Sequence, residues 1–86
     1  MNNKILINVD IPELDSEYDV FIPVNELVWK VNKLVLKSIS DLSGVPLNTN
    51  DKYVFINKIT NKVYNNNEII IDTEIRNGTE LILLKI

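Results

Sequence analysis

Residues 25–46, NELVWKVNKLVLKSISDLSGVP, decide the fold, because here the apolar spacing changes from every second residue to a helical period. With successive residues about 100° apart, Val28, Val31, Val35, Ile39 and Leu42 fall in one narrow stripe. Leu27 and Leu34 lie on one shoulder of it, Trp29 and Leu36 on the other, and Lys30, Lys33 and Lys37 on the far side. Asn25 suits the N-cap, with Glu26 in the first turn, where a carboxylate opposes the helix dipole. Gly44 provides the left-handed stop, and Pro46 cannot resume the helix. The apolar arc is wider than one sheet needs. Trp29 and Leu36 are therefore candidates for a second contact site, although packing of that shoulder against a loop or sheet edge is the preferred reading.

On either side of the helix the period is two. In KILINVDI (4–11), Ile5, Ile7 and Val9 point one way while Leu6 and Asn8 point the other. In YDVFIPV (18–24), Tyr18, Val20, Ile22 and Val24 oppose Asp19, Phe21 and Pro23. PELDSE (12–17) supplies proline and turn-forming acids between them, which predicts a β-hairpin with a long acidic loop. After the helix, KYVFIN (52–57) alternates, with Val54 and Ile56 read as inward and Tyr53 and Phe55 as outward. KITNK (58–62) then turns the chain into a short run, VYN (63–65), a second hairpin. In the crossover NNEIIIDTEI (66–75), Ile70 and Ile75 are expected to plug the bottom of the core. RNG (76–78) turns into the last strand, where the unbroken run 81–84 divides into Leu81 and Leu83 under the helix and Ile82 and Leu84 on the other face.

One helix and four or five strands can share a single core only if the helix lies across one face of the sheet. The expected class is α+β, a β-grasp with a mixed sheet, formed as one domain over residues 1–86. The last strand most simply enters parallel beside the first, an insertion that element order alone does not settle.

Composition narrows function. The 86 residues contain no cysteine and no histidine, so thiolate ligands, thiol nucleophiles and the commonest catalytic base are missing. The serines at 16, 38, 40 and 43 have no nucleophile-elbow setting, and no enzyme and no cofactor are expected. Nine Lys and Arg against twelve Asp and Glu, a net charge of -3, argue against a nucleic-acid partner. No apolar run approaches the roughly 20 residues of a membrane span, and the N-terminus lacks a secretory signal pattern, so a cytoplasmic protein is expected. Asp10, Glu13, Asp15, Glu17 and Asp19 offer oxygen ligands, but without the glycine and twelfth-position glutamate of a calcium loop they read as a solvated hairpin. Their charge, set against the helix lysines, could orient a partner or a second copy. The leading candidate surface is the sheet face away from the helix, where parity places Leu6, Phe21, Phe55, Ile82 and Leu84, more large apolar groups than scattered surface residues explain.

SDLSGVPLN (40–48), KYVFI (52–56) and IRNGTELILL (75–84) resemble the helix end, third strand and last strand of ubiquitin. YDVFIPVNELVWKVNKLVLKSI (18–39) and TEIRNGTELILL (73–84) resemble more closely the YukD/EsaB ubiquitin-like proteins that accompany bacterial type VII secretion systems. The resemblance implies a non-enzymatic accessory or regulatory module acting by contact with secretion machinery. It also implies that Phe55, Ile82 and Leu84 match ubiquitin's apolar contact patch. Conjugation and sulfur carriage both require a Gly-Gly tail, whereas this sequence ends in Lys85 and Ile86. A modifier or carrier with a truncated tail is thus an alternative, as is an oligomerising scaffold driven by the charge asymmetry. The iron–sulfur branch of the β-grasp needs thiolates that this chain lacks.

Overall fold

The alternation of residues 4–24 produces a hairpin in the computed structural model, which describes residues 3–86. Strands β1 (Lys4–Ile11) and β2 (Ser16–Pro23) pair antiparallel, Leu6 opposite Phe21 and Ile7 opposite Val20. Ile7, Val9, Ile11, Val20 and Ile22 are buried on one face, as the sequence predicts. The connection is shorter than predicted. Pairing continues to Ile11 and Ser16, leaving only Pro12–Leu14 as a 3-10 turn and Asp15 in the left-handed region (φ 50°), its N–H donating to the Pro12 carbonyl at 3.0 Å. Asp10, Glu17 and Asp19 consequently stand on strands.

The helix α1 spans Val28–Ser43, so it begins three residues after the expected cap. Asn25 does not cap it. The first N–H groups, which lack intrahelical acceptors, donate instead to distant backbone: Val28 to the Glu68 carbonyl (2.8 Å) and Trp29 to that of Asn66 (3.3 Å). Gly44 ends the helix as predicted, at φ 74° with its N–H on the Ser40 carbonyl. Val28, Val31, Asn32, Val35, Leu36 and Ile39 are buried. Leu42, although within the apolar stripe, is 65% exposed, two residues before the Gly44 stop.

Strands β3 (Tyr53–Asn57) and β4 (Glu80–Lys85) complete a four-stranded sheet of order β2-β1-β4-β3. β4 enters parallel to β1, with Val9 opposite Leu81, and antiparallel to β3, with Phe55 opposite Leu83. The segment before β4 steers this insertion: the Asn77 side-chain oxygen accepts from the Leu6 N–H and the Gly78 N–H donates to the Leu6 carbonyl, both at 2.8 Å. The result is the β-grasp arrangement, with Ile70 and Ile75 buried beneath the core as expected. The VYN run forms no strand, only a bridge between Ile56 and Val63.

The predicted facing of β3 is reversed. Tyr53, Phe55 and Asn57 are buried under the helix, while Val54 and Ile56 are partly exposed on the opposite face. Phe55 places more apolar area in the core than either aliphatic neighbour would. The polar groups that accompany it inward all find partners: Asn32 Nδ2 donates to the Tyr53 carbonyl (3.0 Å), the Tyr53 hydroxyl donates to Glu13, and Asn57 Nδ2 donates to the Tyr64 hydroxyl (3.2 Å).

Candidate functional site

The sheet face that α1 leaves open can be mapped from register. β2 contributes Glu17, Asp19, Phe21 and Pro23; β1 contributes Lys4, Leu6, Asn8 and Asp10; β4 contributes Glu80, Ile82 and Leu84; β3 contributes Val54 and Ile56. Leu6 pairs with Phe21 at one corner, whereas Val54 pairs with Leu84 and Ile56 with Ile82 at the other. The predicted patch is therefore two apolar groups. Of its residues, Leu6 and Phe21 stand together, Ile82 and Leu84 stand together, and Phe55 lies on the other face with 1% of its surface exposed. Val54 and Ile56 take its place, and only the register of β3 on β4 reveals them.

A polar band separates the corners. Asp10 and Glu17 are directly opposite on β1 and β2, a like-charge pairing that destabilises a sheet. Lys58 resolves it, its Nζ lying 2.6 Å from Glu17 and 3.6 Å from Asp10. The hydrogen bond to Glu17 raises the Lys58 pKa above its ordinary value. Beside them Asn8 Nδ2 donates to Asp19 at 3.1 Å. No group of three or more Asp, Glu, His or Cys side chains among the described residues is gathered to hold a metal ion.

The second predicted site divides differently. Leu36 is fully buried and offers no surface, because it sits in the middle of α1 above the sheet. Trp29, the second residue of α1, is 39% exposed. It borders a cleft of about 410 Å³ with Asn32, Asp51, Tyr53 and Ile86, and on its other side a shallow concavity of about 420 Å³ with Lys30, Lys33, Leu34 and Lys37. The ammonium groups of Lys30 and Lys33 each stand 5.6 Å from the indole centroid, within cation–π range.

Two further clusters fasten the ends of the sheet. Lys85 pairs with Asp51 (3.1 Å) and Glu13 (3.8 Å), and burial together with the Glu13 hydrogen bond raises the Tyr53 pKa. Burial, together with donation to Glu74 at 2.7 Å, pushes the Tyr64 hydroxyl up to about 12, against the opposing effect of Asn57. Glu74 is lowered in turn, first by the Tyr64 hydrogen bond and further by Lys62 at 3.2 Å.

No family model matches this chain, and no curated protein matches it. Solved structures do share its fold. The EccD5 ubiquitin-like domain from Mycobacterium xenopi superposes with a TM-score of 0.70 at 13% identity, covering 99% of this chain and 97% of that one. A chain of the MycP5-free ESX-5 inner membrane complex gives 0.70 at 14% identity and covers 99% of this chain, which spans only 21% of its length. A chain of the toluene 4-monooxygenase complex with 4-bromobenzoate gives 0.77 at 7% identity, covering 96% and 99%. At such identities the likeness establishes a ubiquitin-like β-grasp fold, which unrelated functions share.

Proposed function

We propose that this chain is a non-enzymatic, cytoplasmic module that works by protein contact, as an accessory or regulatory component of a type VII secretion system in the manner of YukD/EsaB proteins. One observation carries the contact reading: Val54, Ile56, Ile82 and Leu84 form an apolar group on the open sheet face, the first three half-buried and Leu84 37% exposed. Interface energy concentrates in such clusters when a partner desolvates them. The secretion assignment draws support from the sequence resemblance and from the fold shared with EccD5 and the ESX-5 chain.

The ionisable groups fit a binding module better than a catalyst. Acid–base catalysis needs a pKa near the working pH. Here burial and hydrogen bonding push Tyr64 upward and Glu74 is pulled down, both away from neutrality. No helix among the described residues is long and apolar enough to cross a membrane.

The test is affinity capture from the native host with wild-type protein, Ile82→Asp and Phe21→Asp, each shown to be folded by circular dichroism. The wild type and Phe21→Asp should recover type VII membrane components, and Ile82→Asp should lose them. Recovery of no secretion component, or equal recovery by Ile82→Asp, would overturn the proposal.

A further inference from the structure

The outer face of α1 and the β2 corner of the open sheet face carry matching patterns of opposite charge. On α1, Trp29, Lys33 and Lys37 follow one another at four-residue intervals, each step rising about 6 Å, with Leu34 beside them. On β2, Phe21, Asp19 and Glu17 share one face at two-residue intervals of about 6.8 Å. Both rows read aromatic, charge, charge. Over three positions their spans differ by only about 2 Å, which flexible lysine stems absorb.

The helix row keeps unpaired charge and the strand row an uncovered ring, while its acids Glu17 and Asp19 already accept from Lys58 and Asn8 and would add a second partner. Phe21, at 65%, is the most exposed aromatic ring among the described residues. Lys58, Lys62 and Lys85 each pair with carboxylates, whereas Lys33 and Lys37 have no ion pair among the described residues. The helix face sets Lys30, Lys33 and Lys37 against Glu26 before them and Asp41 one turn beyond. The sheet corner and its polar band set Asp10, Glu17, Asp19 and Glu80 against Lys58 and, beside Pro23 at the end of the corner, Lys4. In a chain of net charge -3, such a separation of signs points to attraction between copies.

We infer that this chain binds further copies of itself head to tail, the outer face of α1 in one copy seated on the Phe21 corner of the next. Trp29 and Leu34 receive the Phe21 ring, in the offset or edge-on contact that aromatic pairs favour, while Lys33 meets Asp19 and Lys37 meets Glu17. The helix and strand directions run opposite to one another in this contact. Because α1 covers one sheet face and Phe21 stands on the other, the two surfaces lie on opposite sides of the molecule. The contact is heterologous, so copies add head to tail, into an open chain or a ring according to the rotation between them, and not as a two-fold pair. It leaves the Ile82 corner free, so it stands or falls separately from the proposed secretion partner. An anionic bilayer is the competing ligand for the lysines, but three of them fall short of the roughly four to eight of polybasic membrane sites.

Analytical ultracentrifugation of the full chain, up to about 1 mM protein, tests the inference. At low salt the wild type should form reversible species larger than a dimer, with affinity falling at least about tenfold between roughly 20 mM and 500 mM salt. The folded double variants Lys33→Glu/Lys37→Glu and Glu17→Lys/Asp19→Lys should each associate at least about tenfold more weakly, and their equimolar mixture should associate again. A strictly monomeric wild type at low salt would overturn the inference. So would association that survives both charge variants but is lost in Ile82→Asp, or lysine-dependent binding to phosphatidylserine vesicles without self-association.

Discussion

The two edge strands, β2 and β3, each carry a phenylalanine in an alternating run, yet the rings point to opposite faces. Phe21 on β2 is largely exposed and Phe55 on β3 is buried. In β2 the two alternating sets differ in polarity: Val20 and Ile22 oppose Glu17 and Asp19, so the faces assign themselves. In β3, Tyr53 and Phe55 oppose Val54 and Ile56, and both sets are apolar. Alternation then announces a strand without saying which way it faces. Register on β4 decides, by placing Phe55 opposite the core residue Leu83 and Ile56 opposite Ile82.

Phe55→Ala should produce the largest effect, a loss of about 3–5 kcal/mol in urea unfolding, since a buried ring leaves a cavity. Phe21→Ala should stay within about 0.5 kcal/mol. Equal losses at the two positions would break the comparison.

Asn32→Ala sharpens it at the next scale. The Asn32 side chain satisfies the Tyr53 carbonyl on the outer edge of β3, and removing it leaves a buried acceptor unpaired. A destabilisation of about 1–3 kcal/mol is expected by chemical denaturation. Hydrogen exchange should quicken in β3 before it quickens in β1.

The smallest effect at neutral pH concerns Tyr64, whose N–H caps the Phe55 carbonyl at 3.0 Å on the outer edge of β3. Its folded-state pKa of about 12 lies above the ordinary tyrosine value of about 10. The unfolded chain therefore loses its proton first. The stability that Tyr64 contributes is complete below about pH 10 and falls as pH rises toward 12. Tyr64→Phe should flatten that alkaline decline, read as the slope of unfolding free energy against pH. An unchanged slope would remove Tyr64 from the account.

Much of the fold was legible because neighbouring residues contrast. The facing of β1 and β2, the Gly44 stop and the roles of Ile70 and Ile75 all follow from local pattern, whereas in β4 the predicted division of the apolar run 81–84 agrees with the structure without such contrast. The candidate site was half legible: Leu6, Phe21, Ile82 and Leu84 fall on the open face, but their division into two corners depends on how β1 and β4 lie side by side. Leu36 and Leu42 show the limit along the helix. Both belong to its apolar arc, yet Leu36 in the middle of the helix is buried and Leu42 in its last turn is exposed.

By itself the sequence determined the element order, the helical and strand periods, the opposite charges of the hairpin and the helix, and the absence of cysteine and histidine chemistry. These are properties of single residues or of residues a few positions apart. Tertiary structure decided the face of β3, the start of α1 and the separation of the two apolar corners. Each depends on a partner far along the chain: Leu83 for Phe55, the Asn66 and Glu68 carbonyls for the helix N-terminus, and Lys58 for the facing carboxylates. Local pattern records what a residue prefers, whereas those contacts exist only once distant segments have met.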